Sequence, residues 1–439
     1  MPAEPETADE STPHPTAVPA AHGALARRVR LPGAIGIGLA SMIGAGVFAV
    51  WGPATDAARG GLIIALVLAA LIATLNAFSS AQLAMAHPVA GGAYAFGRRY
   101  VGPWTGFSAG WLFVTGKTAS AAAIASIAAA YLYPTEPTPV AVGLIVLFAA
   151  LNMAGVRTTA RVAMVIVATV LTGLAVVLIA TVSGGAATDL EPVTSILAPA
   201  SPYGVLQGAA LLFFAFAGYA RMATLGEEVV EPRRTLPRAI FIALGVVLAL
   251  YATVAVLLIS TLGTDRLAGS STPFADALDP AWAPLVVVVA GIACLGSLVG
   301  ILAGLSRTSL AMARGGDLPG FLARIWPRTS APAVAEAIIA SIAIVIVVLL
   351  DPAQLVAASS SAVLLYYAVA HVSALRQPAT ERWQPRVVAI AGLVGCVVLV
   401  AALPPVSILG TAVLLAIGLV LRMLAVRRRP APDSGTVAS

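Results

Sequence analysis

Long apolar segments alternate with short polar segments along most of the chain. About twelve of the apolar segments are long enough to cross the ~30 Å hydrocarbon core of a bilayer as α-helices. They lie near residues 33–54, 61–86, 102–132, 138–155, 161–183, 203–229, 237–262, 282–313, 332–351, 353–374, 386–403 and 406–425. The pattern predicts an all-α polytopic membrane protein with about 12 transmembrane helices.

The first and sixth apolar segments are interrupted by glycine. Residues 31–54, LPGAIGIGLASMIGAGVFAVWGPA, carry Gly44 and Gly46 at their centre, and the sixth segment, LLFFAFAGYARMATLGEEV, has Gly218 in its middle. Glycine costs roughly 1 kcal/mol relative to alanine inside a helix, and irregular backbone at membrane depth persists only where it is buried in protein or lines a cavity. We therefore predict broken helices that hold a ligand, with close helix packing as the alternative explanation of the glycines.

The spacing of the two broken segments predicts an internal repeat. Segments 1–5 and 6–10 form two halves, and the odd offset between corresponding helices makes the halves run in opposite directions through the membrane. We assign residues 27–183 to the first repeat, 184–374 to the second, and 375–426 to helices 11 and 12. Residues 1–26 and the basic segment 427–439 are expected to be disordered cytoplasmic tails.

Composition and charge exclude a water-soluble globular protein. Of the 439 residues, 59% are hydrophobic and only 10% are charged, whereas soluble proteins carry about 25% charged residues. The net charge of +6 does not indicate nucleic-acid binding, because twenty arginines fall on the N-terminal side of the membrane and the opposite loops hold only Arg59 and Arg266. By the positive-inside rule, we expect a multi-pass protein of the cell membrane with both termini cytoplasmic.

The sequence lacks the motifs of enzymes and of metal or nucleotide sites. Its four histidines form no HExxH motif, and neither a GxSxG motif nor a P-loop occurs. Cys294 and Cys396 lie inside apolar segments, which argues against a disulfide framework or a thiolate metal site. We therefore expect neither an enzyme nor a bound metal or cofactor.

Several motifs resemble those of amino acid-polyamine-organocation (APC) superfamily permeases of the bacterial amino acid permease type. They are GIGLASMIGAGVF at 36–48, PVAGGAYAFGRRYVGPWTGFSAGW at 88–111, FFAFAGYARMATLGEEVVEPRRTLPRAI at 213–240 and GSLVGILAGLSRTSLAMARGGDLP at 296–319. The resemblance implies a secondary transporter of amino acids or related amines. Its fold would be a 5+5 inverted-repeat (LeuT-like) core with discontinuous helices 1 and 6, plus two extra helices.

The resemblance also implies a substrate site at the two breaks. The amides of Gly44, Ala45 and Gly46 would bind the substrate carboxylate, because free backbone groups at helix ends bind charge without a charged side chain. The carbonyls of Met42, Phe214 and Ala217 would accept from the ammonium group. Phe214 and Phe216 would be apolar walls, or would only pack between helices. The full set is Met42, Ile43, Gly44, Ala45, Gly46, Phe214, Phe216, Ala217, Gly218 and Ile301.

Three positions, Ala45, Ala220 and Ile301, depart from what the family often shows. Ala45 lacks the hydroxyl found in many members, and Ala220 stands where an acidic residue is frequent. We therefore expect carboxylate binding to depend mainly on backbone amides, and Ile301 suggests a pocket with few aromatic side chains.

Charged residues inside the apolar segments are candidates for coupling and gating. Lys117, the only lysine of the chain, lies near the middle of the third segment. It either exchanges a proton or replaces a bound sodium ion at the site, or it donates to carbonyls freed by the broken helices. Arg221 is expected to pair with Glu227 and Glu228, about two helical turns away, as a structural ion pair or a cytoplasmic gate. Ser297 is the nearest candidate for a sodium ligand.

The sequence thus predicts a secondary active transporter that works by alternating access, with proton-coupled symport of a neutral amino acid as the preferred mechanism. An amino acid/amine exchanger and a sodium-coupled symporter are the alternatives, and a passive channel or a receptor is more distant. Protons are preferred to sodium as the coupling ion. The expected partners are the amino acid and the lipid bilayer, without nucleic acid or an obligate partner protein, and the chain is expected to be a monomer or a homodimer.

Overall fold

The computed structural model describes residues 29–89, 91–154, 160–183, 200–219, 222, 228–326, 329 and 331–427. The two predicted tails lie outside the described residues, apart from Arg427, which ends the last helix. Arg221, Glu227 and Ala220 also lie outside them.

The described residues form α-helices, with turns and short 3₁₀ helices between several of them. The helices are α1 (Leu31–Met42), α2 (Ala45–Ala49), α3 (Trp51–Ala58), α4 (Leu62–Ala86), α5 (Ala93–Tyr100), α6 (Pro103–Leu132), α7 (Pro137–Met153), α8 (Ala160–Ser183), α9 (Pro202–Phe216), α10 (Pro232–Ala268), α11 (Pro273–Asp276), α12 (Ala283–Arg314), α13 (Ala333–Leu349), α14 (Pro352–Arg376), α15 (Arg386–Ala402) and α16 (Pro405–Arg427).

Within the described chain, nine helical segments are long and apolar enough to cross a membrane, and three shorter apolar helices accompany them. The shorter ones are α7, α13 and α15. This confirms the prediction of an all-helical, multi-pass membrane protein.

The first apolar segment is interrupted where its glycines predict a break. Helix α1 ends at Met42, and Gly44 has a non-helical backbone with φ −123° and ψ −141° before α2 begins at Ala45. The sixth segment ends its regular helix at Phe216 and tightens into a 3₁₀ turn over Ala217–Tyr219. Both segments therefore leave backbone groups without intrahelical partners inside the bundle.

The helices pair in a pattern that relates the two halves of the chain. Helix α1 of the first half packs on α10 of the second, and α9 of the second half packs on α4 of the first. Helix α6 runs through the centre and contacts α7, α12, α13 and α14. Its small residues, TASAAAIASIAAA at 118–130, allow these neighbours to approach closely.

One end of the bundle, here called the arginine-rich end, holds the start of α1, α5, the start of α6, and the ends of α12, α14 and α16. Asp317, which follows α12, accepts hydrogen bonds from Tyr94 and Arg98 of α5 at 2.9 and 2.5 Å and pairs with Arg422 of α16 at 3.1 Å. Burial, together with the Asp317 carboxylate, raises the pKa of Tyr94 to about 12, so its hydroxyl keeps its proton and donates. Arg422 also lies over the rings of Trp104 and Phe107.

Candidate functional site at two helix breaks

The two helix breaks lie directly against each other. A Cβ atom added at Gly218 would overlap the backbone carbonyl of Ser41 and lie 2.7 Å from the nitrogen of Met42. Just beyond the first break, a Cβ at Gly46 would lie 2.7 Å from the Cα of Ala215. These glycines therefore bring the two interrupted helices into backbone contact, so close packing and chain interruption occur together.

All three carbonyls expected to bind an ammonium group already accept a hydrogen bond. The hydroxyl of Tyr251 donates to Met42, the amide of Ala217 donates to Phe214, and Lys117 donates to Ala217. Each carbonyl oxygen has two lone pairs and retains one for a further donor. A substrate ammonium would therefore share these oxygens with groups of the protein itself.

Tyr251 of α10 ties the two breaks together, although its role was not predicted from the sequence. Its hydroxyl oxygen lies 2.7 Å from the carbonyl oxygen of Met42 and 3.1 Å from that of Ala215. The ring packs edge-on against Trp51, with ring centroids 6.0 Å apart. A tyrosine within the apolar run of the seventh segment was the available signal, because a buried hydroxyl needs a partner.

Lys117 reaches the break of the sixth segment from α6. Its side chain is only 8% exposed, and Nζ lies 3.3 Å from the carbonyl oxygen of Ala217. Among the described residues, no carboxylate oxygen lies within 4.0 Å of this ammonium group. The side chain therefore supplies a positive charge, or a proton that can leave, next to the backbone groups of the break.

The amide side of the predicted site lies at the start of α2. Ala45 and Gly46 occupy the first turn of this helix, where amides have no intrahelical acceptor. Ile43 instead donates its amide to Leu39 at 2.7 Å. Ser297 of α12 faces this region, because a Cβ at Gly44 would overlap its hydroxyl, and that hydroxyl lies 3.4 Å from the carbonyl oxygen of Ala40.

The predicted apolar walls have different surroundings. Phe216 is fully buried and packs against Tyr251, with ring centroids 5.0 Å apart. Phe214 is also buried, whereas Ile301 is half-buried on α12 beside the main core. Ile301 therefore keeps exposed apolar surface, whereas the buried Phe216 contacts protein side chains in this structure.

The residues after the second break contact both the start of α1 and α12. Val29 donates its amide to the carbonyl of Glu228 at 2.9 Å and accepts from the amide of Val230 at 2.8 Å. The Glu228 carboxylate lies 3.9 Å from the guanidinium of Arg307 on α12. Arg307 is therefore the partner of Glu228 in the described structure, while the predicted partner Arg221 lies outside the described residues.

A cavity of about 1570 Å³ lies away from the breaks. It is bordered by α6, α9, α13, α14 and α16, and its lining includes Trp111, Leu211 and Ile342 but none of the break residues 42–46 or 214–218. Most of the surrounding side chains are apolar. Its position excludes this cavity as the predicted amino acid site.

An all-helical bundle that buries two abutting helix breaks is the arrangement expected of membrane transporters with discontinuous helices. The chain belongs to the amino acid permease family, whose model matches residues 30–424. It is therefore a transporter and not an enzyme.

Several related proteins agree with the family. An uncharacterized transporter of Mycobacterium tuberculosis is 45% identical over 418 residues, which cover 94% of each chain. The branched-chain amino acid permease of Bacillus subtilis is 30% identical over 334 residues, 68% of this chain and 70% of that protein. Chloroplastic cationic amino acid transporter 7 of Arabidopsis thaliana is 27% identical over 389 residues, 81% of this chain and 66% of that protein. Together with the family, these relatives support amino acid transport.

Proposed function

We propose that this protein carries a neutral amino acid with an apolar side chain across the cell membrane, by alternating access and with proton symport. The observation that carries the proposal is the backbone contact between the two helix breaks at Gly218. In an amino acid permease, such a junction supplies amides for a carboxylate and carbonyls for an ammonium group. The pairing of α1 with α10 and of α9 with α4 supports an inverted-repeat, LeuT-like core.

The amino acid carboxylate is bound by the amides at the start of α2, at Gly44, Ala45 and Gly46. Its ammonium group binds the remaining lone pairs of the Met42, Phe214 and Ala217 carbonyls. Phe214, Phe216 and Ile301 surround the substrate side chain. Because Ala45 has no hydroxyl, the backbone supplies the carboxylate contacts.

The substrate class follows from the charge next to the site. The Lys117 ammonium group lies at the Ala217 carbonyl, so a second positive charge on the substrate side chain would be repelled. Apolar neighbours at the breaks favour an aliphatic side chain, as in the substrates after which the Bacillus subtilis relative is named.

Alternating access requires one end of the site to open while the other is closed. The arginine-rich end faces the cytoplasm, in agreement with the positive-inside rule. It is closed by the contact of Val29 with Glu228 and Val230, and by the ion pair of Glu228 with Arg307. Opening separates the start of α1 and the segment at 228–230 from α12.

Reconstitution in proteoliposomes tests this function. We expect saturable uptake and counterflow of labelled leucine, isoleucine or valine, with uptake accelerated by an imposed proton gradient. A sodium gradient alone and protein-free liposomes are the controls. Absence of saturable transport for every amino acid in a neutral, acidic and cationic panel would contradict the proposal, and acceleration by sodium alone would replace the proton with sodium.

The variant Lys117→Met tests the proposed substrate class. Removal of the positive charge should make arginine a stronger competitor of leucine uptake, while Lys117→Arg, which keeps the charge, should preserve discrimination. Equal inhibition by arginine in the wild type and in both variants would show that Lys117 does not set the substrate charge.

A further inference from the structure

A buried acidic side chain lies in the first turn of α13, outside the site at the helix breaks. Glu336 is only 2% exposed, although it is surrounded by the apolar sequence APAVAEAIIAS. The sequence signal was an acidic residue inside the ninth apolar segment, whose other acidic residue, Asp351, stands at its last position. Burial of an ionised carboxylate is costly unless it is paired or well hydrogen-bonded.

Neutral groups from two other helices hold the Glu336 carboxyl group. Asn152, at the end of α7, donates its side-chain amide to Oε1 at 3.2 Å, and the hydroxyl of Ser306 on α12 also forms a hydrogen bond with it. The start of α13 adds the positive end of a helix dipole. These interactions favour the ionised form, whereas burial favours the protonated form.

No positive charge neutralises this carboxyl group within the described chain. Among the described residues, six cationic or imidazole groups lie on elements that pack against α13 or directly after those elements. They are Lys117, Arg307, Arg314, Arg324, His371 and Arg376. In the part of the chain that the structure describes, none of their nitrogens lies within 4.0 Å of the Glu336 oxygens. Lys117 contacts Ala217, Arg307 pairs with Glu228, and His371 binds Ser79 and Asn76.

The surroundings satisfy both protonation states of Glu336. An ionised carboxylate accepts from Asn152 and Ser306, and a protonated one donates its own hydrogen to the Ser306 oxygen while still accepting from Asn152. Because the serine hydroxyl rotates between donor and acceptor, neither state leaves a buried polar group unpaired. A proton can therefore bind and leave without rearrangement of this cluster.

The position of Glu336 links its proton to the closure of the arginine-rich end. Ser306 is followed by Arg307, whose guanidinium pairs with Glu228 in the contact that closes this end. Opening of this end would bring water to the first turn of α13 and to the end of α7. Hydration stabilises the ionised carboxylate, whereas the closed, dry state stabilises the neutral acid.

We propose that Glu336 is the proton-binding carboxyl group of the transport cycle, neutral when the arginine-rich end is closed and ionised when it is open. The carboxylate gains one proton to become a carboxylic acid and releases that proton at this end, with no other bond made or broken. A ligand with different affinity for two conformations shifts their populations, so this proton is coupled to the conformational change. The inference rests on the proposed function, because it assigns the proton of that symport.

The test separates proton coupling from transport itself. Purified wild type and Glu336→Gln are reconstituted in proteoliposomes, and the membrane potential is clamped at zero. Two quantities are compared: leucine counterflow, and leucine accumulation driven by a proton gradient of one pH unit. For one proton per substrate, the wild type should accumulate leucine about tenfold. Glu336→Gln should keep counterflow and lose the accumulation, and Glu336→Asp should recover part of it.

The outcomes separate this inference from the proposed function. Wild-type protein without counterflow would contradict amino acid transport as a whole. Unchanged proton-driven accumulation in Glu336→Gln would overturn the role of Glu336 but leave amino acid transport intact. Loss of both counterflow and accumulation, in a variant with unchanged thermal unfolding, would also overturn that role. If Glu336→Gln unfolds at a lower temperature than the wild type, Ser306→Ala provides the second test. Its proton-driven accumulation of leucine should be weaker than in the wild type, and unchanged accumulation would contradict the inference. Glu136→Gln, at an exposed helix start, serves as the matched control.

Discussion

At the arginine-rich end, the buried Asp317 carboxylate meets two guanidinium groups and a tyrosine hydroxyl. At the helix breaks, the polar groups are backbone carbonyls and amides. The carbonyls accept hydrogen bonds from one tyrosine, one lysine and neighbouring amides. In the first cluster, one carboxylate pairs with two guanidinium groups, and these contacts join α5, the end of α12 and α16. The second leaves lone pairs and amides for a ligand. Under the proposed function, the groups that hold the helices together are therefore separate from the groups that are available to a substrate.

The largest effect on stability is expected from Asp317→Asn. Asp317 and Arg422 have side chains only 5% and 7% exposed, so the variant would leave a buried guanidinium group without its anionic partner. Loss of one partner of a buried ion pair costs about 3–5 kcal/mol. Thermal unfolding in detergent should show a strongly lowered midpoint, with substrate affinity unchanged in the folded fraction.

Asp265→Asn is the matched control for Asp317. Its carboxylate is 98% exposed and lies 3.6 Å from Arg59, and an exposed ion pair contributes about 0–1 kcal/mol. An equal loss of stability in the two variants would contradict the description of the Asp317 cluster as the structural one of the two regions.

The next largest effect is expected from Gly218→Ala, at the contact of the two breaks. The added methyl group would overlap the Ser41 carbonyl, and a backbone atom cannot rotate away as a side chain can. Overpacking costs about 1–3 kcal/mol, and here it would also separate the two breaks. We expect loss of counterflow in a protein that still inserts and folds.

Gly245→Ala is the control for this substitution, because nothing lies within 4 Å of its added Cβ. Alanine is favoured over glycine inside a helix by about 1 kcal/mol, so this variant should transport normally and unfold at the same or a higher temperature. Normal counterflow in Gly218→Ala would show that the contact of the breaks is not needed for transport.

A smaller effect is expected from Tyr251→Phe, which keeps the ring but removes the hydroxyl shared by Met42 and Ala215. A buried acceptor left without its partner costs about 1–3 kcal/mol. Uptake should fall severalfold while the fold is kept. Tyr203→Phe, at a tyrosine 52% exposed, should change neither quantity, and equal uptake in both variants would contradict a bridging role for Tyr251.

Features that depend on local sequence were predictable. Gly44 and Gly218 disfavour a helix in the middle of segments long enough to cross a bilayer, where broken helical hydrogen bonds have no replacement in lipid. The first break was predicted to within two residues of its position. The all-helical character follows from the same constraint on backbone groups.

Features that depend on which helix faces which were not predictable. Helical spacing predicts Arg221 as a partner of Glu228, and Arg221 lies outside the described residues. The contact of Glu228 with Arg307 of α12 depends on helix packing and was not predicted. Tyr251 shows no period or motif that would direct it to the breaks. Glu336 was missed because a single carboxyl group in an apolar segment does not reveal that neutral groups of α7 and α12 hold it. Contacts of this kind are set by tertiary packing, which one sequence does not encode in any local pattern.

The smallest effect is expected at the ion pair of Glu228 and Arg307, which lies between the two regions. Its atoms are 3.9 Å apart and its side chains are 33% and 48% exposed, so solvent screens the attraction. A double-mutant cycle of Glu228→Gln and Arg307→Gln, measured by thermal unfolding, should give a coupling energy below about 1 kcal/mol. A cycle of Asp317→Asn with Arg422→Gln should give several times more, because that pair is buried. A weak pair suits the proposed contact that opens during transport. Coupling as strong as that of Asp317 would contradict this gating role and make the pair of Glu228 and Arg307 a structural one.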